Sequence, residues 1–229
     1  MDFLHRTRIL YGDDSVKRFT DATVAVFGIG GVGGHAAESL VRCGIGTLIV
    51  ADRDVVEITN INRQAVADAG TIGMAKVDVI ERKAKSVNPD INVIKYRHSF
   101  TDDFEEVFGR YRVDAVADCI DDVSAKINLI CFCKKNNIPI ISSMGTALRK
   151  RPDMLEITDI YKTAYDPLAR VMRKELRSRD VKNLTVICSK EEPLKRTGDT
   201  LGSCAFVPAA AGLCISSAII RHIAGEIVL

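Results

Sequence analysis

A glycine run, Gly28-Ile29-Gly30-Gly31-Val32-Gly33, separates the apolar, β-branched stretch 23–27 from a helical pattern over 33–43. Few folds place glycines at that junction. A strand that breaks at a glycine turn and re-enters as a helix is the phosphate-binding corner of a doubly wound α/β sheet. The first glycine permits the tight turn, the second lets backbone approach a phosphate, and the last allows close helix–strand packing. The helix start then aims unpaired N–H groups at the anion. Asp52 stands 24 residues after Gly28, where an acidic residue holds a ribose hydroxyl pair. On these residues alone two readings stand: an NAD-binding domain, or a tight turn that binds nothing.

The remaining pattern extends the same architecture. Apolar runs at 47–51, 92–96, 113–117 and 138–142 read as strands. Helical spacing over 74–86, 102–111 and 124–136 separates them, and Asn88-Pro89 supplies a helix stop. This order predicts a Rossmann-like, mainly parallel sheet with helices on both faces. Beyond residue 143 the grammar changes, with strands expected at 155–160 and 184–188 and an exposed helix over 167–179. A run of 21 uncharged residues, 200–220, contains Pro208 and two glycines and reads as a loop leading into a buried helix. A membrane anchor is the lesser reading. Two parts are expected: a nucleotide-binding domain at 1–148 and an extension at 149–229 packed on the same fold.

Composition excludes several classes. The 229 residues carry 32 Lys+Arg against 30 Asp+Glu, a net charge of +2, which is not that of a generally polybasic nucleic-acid binder. The charge is unevenly spread: residues 149–196 hold 13 Lys/Arg and 8 Asp/Glu, so that region is +5 and the rest −3. Either this is a solvated surface, or it is a platform for a polyanion such as RNA. Seven cysteines, odd in number and without any CxxC pair, read as reduced thiols in a cytoplasmic protein and give no support for a zinc knuckle. The four histidines are scattered, and His35, on the helix after the glycine turn, reads as structural. The first residues, MDFLHRTRILYGDD, lack an apolar signal core, so secretion is not expected.

The segment after the second strand departs from what a dehydrogenase needs. It reads Asp52-Arg53-Asp54-Val55-Val56-Glu57-Ile58-Thr59-Asn60-Ile61-Asn62-Arg63-Gln64, and Lys76 follows 13 residues after Arg63. Asn60, Arg63 and Gln64 are spaced to line one pocket, and an arginine plus a lysine supply cations for a triphosphate. Asp118, Asp121 and Asp122 follow the fourth strand, at the carboxyl edge where ligands bind, and a carboxylate there suits magnesium bridging phosphate oxygens.

Together these elements (GxGGVG, DxDxVxxxNxNRQ, Gly73-Met74-Ala75-Lys76 and Asp118-Cys119-Ile120-Asp121-Asp122) resemble the E1-like adenylating superfamily over roughly residues 6–145. The resemblance implies ATP and Mg2+ as cofactors. Gly28, Gly30, Gly31 and Gly33 with Asp52 and Asp54 would seat the nucleotide. Asn60, Arg63, Gln64 and Lys76 would contact phosphates, and Asp121 would bind the metal. An arginine six residues before a glycine reaches the phosphates from a partner subunit in that superfamily; Arg6 and Gly12 match the spacing, with Arg8 the second candidate. The implied unit is a homodimer in which Arg6, Arg63, Lys76 and Asp121 are catalytic. The implied reaction is attack of a carboxylate on the α-phosphate of ATP, which needs charge neutralisation and alignment but no general base.

Within the superfamily the chain is most similar to the tRNA threonylcarbamoyladenosine dehydratases. The shared segments are GIGGVGGHAAESLVRCGIG, residues 60–64, Val87-Asn88-Pro89, Cys133-Lys134-Lys135-Asn136-Asn137-Ile138-Pro139 and Thr163-Ala164-Tyr165-Asp166-Pro167-Leu168-Ala169. That resemblance implies a tRNA substrate and an intramolecular ring closure with net loss of water. The chain departs from the pattern in being short over 180–205 and in carrying Ser143-Met144-Gly145-Thr146 where a glycine-rich stretch is common. The alternative is adenylation of the C-terminus of a ubiquitin-like sulfur-carrier protein, with a sulfur-transfer partner and with Cys188 or Cys204 as nucleophile. An NAD-dependent oxidoreductase would leave Arg63 and Lys76 without a task, and a non-catalytic nucleotide binder would keep only the pocket.

Overall fold

The computed structural model describes every residue except Met1, Ser99 and Thr101. Two helices that the sequence pattern does not announce, α1 (His5–Tyr11) and α2 (Asp13–Asp21), precede the first strand. Then β1 (Thr23–Phe27), α3 (Gly33–Arg42), β2 (Thr47–Ala51), α4 (Lys76–Val87), β3 (Asn92–Tyr96), α5 (Glu105–Phe108), β4 (Ala115–Asp118), α6 (Val123–Lys135) and β5 (Ile140–Ser143) alternate. The chain continues through β6 (Leu155–Asp159), α7 (Pro167–Ser178), β7 (Thr185–Ser189) and α8 (Phe206–Ala224).

All seven strands join one sheet in the order β3-β2-β1-β4-β5-β7-β6, parallel except for β6, which runs antiparallel to β7 at the edge. Residues 149–229 therefore share the sheet of the first part. The period of two along β1 divides the core. Val24 and Val26 face Ala36, Leu40 and Ile215, while Ala25 and Phe27 face Ile127, Ile130 and Met172. Full burial of a side chain of valine, leucine or isoleucine size contributes on the order of 1.5–3 kcal/mol. With both faces covered, the central strands carry no polar stripe. The order in which strands are added reverses between the parallel neighbours β1 and β4, so the crevice at their carboxyl ends is the switch point where a ligand fits.

Two expectations need correction. The helix expected over 102–111 shrinks to Glu105–Phe108, because only Phe104, Val107 and Phe108 find the aromatic cluster around Phe27 and Phe132. The exposed helix over 167–179 is amphipathic: Ala169, Met172 and Leu176 are wholly buried. The uncharged run does hold a helix, and it is part of the core. Half of the most apolar window of α8 is buried, although the helix is long and apolar enough to cross a membrane. Gly212 packs so tightly on α3 that a Cβ there would stand 2.4 Å from the carbonyl oxygen of Val32.

Candidate nucleotide site

The glycine turn divides its work between positions. Gly28 sits at φ +87°, and a Cβ there would come within 2.5 Å of the Cys119 carbonyl oxygen. A Cβ on Gly33 would stand 1.8 Å from the Gly28 carbonyl oxygen, so the first turn of α3 rests directly on the strand end. Gly30, by contrast, has nothing within 4 Å of its missing side chain. That open space is where the backbone can approach a phosphate, and it belongs to a cavity of about 920 Å³, within the range of small-molecule sites.

Asp52, just past β2, is the pivot of the next wall. Its Oδ2 accepts from Ile29 N at 2.6 Å and its Oδ1 from Asp54 N at 2.8 Å, which fixes the carboxylate beside the turn. Burial pushes its pKa above the ordinary aspartate value, with Lys76 and the two backbone donors pulling the other way. Lys76 reaches the pocket because residues 54–56 pair back on 73–76: Lys76 N donates to the Asp54 carbonyl at 3.1 Å and Val56 N to the Met74 carbonyl at 2.9 Å. The Lys76 ammonium is almost fully buried and bonds Asp54 Oδ2 at 2.9 Å.

The Asn-rich segment forms a 3-10 turn at Ile58–Asn60, where Asn60 Oδ1 accepts from Glu57 N at 3.1 Å. Arg63 donates through Nη1 to the Thr59 carbonyl at 2.8 Å and to Asn62 Oδ1 at 2.9 Å. The ring Nε2 of His35 bonds the Arg63 carbonyl at 3.2 Å, pinning this segment to α3 and giving the histidine its structural task. Gln64 is buried at the wall, and its Oε1 has no partner among the described residues. An orphan buried amide oxygen leaves a hydrogen bond of about 1 kcal/mol for a bound molecule to recover.

The three aspartates after β4 have separate tasks. Asp118 is fully buried and pairs with Lys126 at 3.0 Å and with the Ser142 hydroxyl at 2.6 Å. Asp122 caps α6 by accepting from Ala125 N at 2.8 Å. Asp121 is exposed at the pocket mouth, and its carboxylate is uncommitted among the described residues. Among the described residues no three His, Cys, Asp or Glu side chains converge on a metal-sized site. One free carboxylate beside a phosphate seat is nonetheless what a Mg2+ ion carried by a nucleotide needs.

Of the residues expected from sequence, Gly28, Gly30, Gly31, Asp52, Asp54, Asn60, Arg63, Gln64, Lys76 and Asp121 line this one cavity. Gly33 supports it from behind. Arg6 does not reach it; it lies exposed on α1, beside Ile9 and Leu10, whose side chains are 74% and 76% exposed. Arg8 is engaged by Asp2 at 2.7 Å and Asp13 at 3.3 Å, which leaves Arg6 the free cation of the pair. Sequence reasoning missed the opposite wall: residues 143–147 with Leu168, Leu201, Ser203 and Pro208. Asn62 Nδ2 donates to the Ser203 carbonyl at 3.0 Å and closes the two walls together. The substitution of a glycine-rich stretch at 143–146, noted as a departure from pattern, was the available pointer to that wall.

Two of the cysteines are held as thiols, Cys119 although it lines the cavity. Burial, with Asp118 adding to it, pushes the Cys119 thiol up to about 12. Burial and the Asp166 carboxylate do the same for Cys188, also to about 12.

Comparison with known proteins gives the same picture. The chain is 37% identical over 97% of its length, and 94% of the relative's, to the tRNA threonylcarbamoyladenosine dehydratase of Bacillus subtilis. It is 38% identical to the Escherichia coli protein of that name, over 75% of this chain and 64% of the relative. The crystal structure of E. coli tRNA N6-threonylcarbamoyladenosine dehydratase in complex with ATP superposes with a TM-score of 0.91 at 31% identity, covering 96% of this chain and 93% of that one. A family model described as the ThiF family matches residues 4–227, from the first helix to beyond the last, and the chain belongs to that family.

Proposed function

We propose that this protein uses ATP to activate the carboxylate of N6-threonylcarbamoyladenosine in tRNA and closes it into a ring with net loss of water. One observation carries the reading: a glycine turn, the ribose-type carboxylate Asp52, the cations Arg63 and Lys76 and the uncommitted carboxylate Asp121 converge on a single cavity. A dinucleotide dehydrogenase has no use for the last three. The substrate carboxylate displaces pyrophosphate at the α-phosphate, and an atom of the same nucleoside then displaces AMP as the ring closes.

The residues divide that task. Gly28, Gly30 and Gly31 leave room for the phosphates, and Asp52 accepts from the ribose. Asn60, Gln64, Arg63 and Lys76 hold and neutralise the phosphate chain, which keeps the α-phosphorus in line with the incoming carboxylate. Asp121 would hold Mg2+, whose charge adds to theirs. Arg6 completes the site of a second protomer, so the working unit is a homodimer. Residues 1–148 supply the polar groups for the nucleotide, and 149–229 complete the far wall of its cavity and face the tRNA, in the cytoplasm.

The test is to incubate the protein with ATP, Mg2+ and tRNA bearing the open nucleoside. Mass spectrometry of the digested nucleosides should then report loss of one water, matched by AMP and pyrophosphate. Tight NAD binding without ATP binding would sink the reading. Adenylation of a small protein's C-terminus, with tRNA untouched, would replace it by the sulfur-carrier alternative. Such activators often add a catalytic thiol; of the two candidates Cys188 is 3% exposed with its thiol proton held at neutral pH, and Cys204 is half-buried.

A further inference from the structure

The helix α7 buries Ala169, Met172 and Leu176 in the core layer it shares with α6, so the far side of the helix faces outward. At 3.6 residues per turn, Arg170, Lys174 and Arg177 fall within an arc of about 60° on that outward side. All three are exposed. The helix carries four cations against the single carboxylate of Glu175, which is itself taken by Arg179 at 2.7 Å. Several cations on other helices are matched by a carboxylate one turn away: Lys17 with Asp21, Arg42 with Glu38, Lys85 with Glu81. On α7 the residue one turn from Arg170 is Lys174, a like-charge spacing that weakens a helix. Of the three, Arg177 lies over the Tyr161 ring at 4.9 Å, and none has a carboxylate partner among the described residues.

The stripe begins at the nucleotide site. Leu168, in the first turn of α7, is a wall of the cavity. Asp166 caps the helix at Ala169 N and accepts from Gly145 N at 2.9 Å, tying the helix start to the loop that forms the opposite wall. Between them Tyr165 stands 62% exposed in the left-handed region, at φ +55°, with its carbonyl oxygen held by Arg149 at 3.2 Å. The strained backbone holds a large ring out in solvent at the head of the cationic stripe.

We propose that the outward face of α7, headed by Tyr165, is the surface on which RNA docks beside the pocket. This rests on the tRNA reading above and adds where the RNA lies. Successive turns of the helix present Arg170, Lys174 and Arg177 about 6 and 4.5 Å apart along its axis, a ladder of cations for consecutive phosphates. Tyr165 offers its ring to an unstacked base. A protein partner would need carboxylates or an apolar anchor here, whereas three cations without carboxylate partners among the described residues, leading away from an aromatic ring, suit a single polyanionic strand.

The experiment compares two full-length triple variants in binding tRNA and in KM for tRNA. Arg170→Gln/Lys174→Gln/Arg177→Gln removes the stripe, and Arg82→Gln/Lys83→Gln/Lys85→Gln removes the same charge from α4 on the other face. The α7 variant should bind tRNA at least tenfold more weakly at moderate salt. Its salt-dependence slope should flatten by about two to three units, while ATP binding stays as in wild type. The α4 variant should lose much less. Tyr165→Ala should raise KM for tRNA and Tyr165→Phe should restore it. Equal losses in the two triple variants, or an α7 variant with wild-type KM on a tRNA that the wild type does cyclise, overturns the docking face alone. A wild type that neither binds nor cyclises tRNA overturns the face and the parent reading together.

Discussion

Lys126 and Asp118 pair at 3.0 Å beneath the nucleotide cavity, and solvent reaches neither side chain. The same ammonium donates to the Ile120 carbonyl at 2.9 Å, and Asp118 Oδ1 accepts from Ile120 N at 3.2 Å. The pair therefore grips both polar ends of the residue before Asp121. Removing one partner strands a charge in a dry site. Lys126→Met should cost about 3–5 kcal/mol in urea unfolding, and adding Asp118→Asn should recover part of that loss.

Two glycine substitutions should fail for opposite reasons. Gly33→Ala forces a methyl into the Gly28 carbonyl, so little folded protein should be recovered. Gly30→Ala places its methyl in open space and should fold with an unchanged melting temperature. That methyl fills the phosphate seat, so nucleotide affinity should drop at least tenfold by calorimetry. Wild-type affinity in Gly30→Ala would contradict the assignment of the seat.

Asp121 and Asp122 are adjacent and should separate cleanly. Asp121→Asn should lower turnover by about two orders of magnitude, the scale of losing one charge-stabilising group, with stability unchanged. Asp122→Ala removes the α6 cap and should cost about 1 kcal/mol of stability while sparing turnover.

The raised pKa of Asp52 sets a sign for pH dependence. Because the folded value lies above 3.8, the folded chain disfavours the ionised form: that stability cost is absent below 3.8 and fully present once pH exceeds the folded value. Ribose binding needs the ionised form. Nucleotide affinity should therefore fall on acidification at a higher pH than an ordinary aspartate would give. Asp52→Asn should flatten that acid limb and weaken binding by about 10–100-fold, as read by titration calorimetry across pH.

Arg6 acting across a dimer makes a complementation prediction. Arg6→Ala and Lys76→Ala homodimers should each be nearly inactive. After subunit exchange in an equal mixture, each mixed dimer keeps one complete site, so about a quarter of wild-type activity should return. No recovery in a mixture shown to contain mixed dimers would place Arg6 outside the site.

The features legible in sequence were those with short-range causes. The strand at 23–27, the glycine turn and the Asn60–Gln64 block each announce themselves within a few residues, and the strands at 47–51 and 92–96 lie where the pattern put them. Edges were less legible. β6 is only partly buried on both faces, so its period is faint, and nothing in it encodes that it runs antiparallel to β7. Lys126 sits in an apolar helical run, where a lysine reads as solvated; only the tertiary placement of Asp118 makes it a core residue. The far wall of the cavity comes from residues near 145, 168 and 203, brought together by Asp166 and Asn62 across long separations that no local pattern records.

The bond from Asn62 to Ser203 joins residues 141 positions apart, and Pro208 lies just beyond it on the same wall. A chain emerging from the ribosome thus makes its glycine turn early yet has no closed nucleotide pocket until the last helix has appeared and settled on α3. Nucleotide binding in this protein therefore reports that α8 has docked on α3.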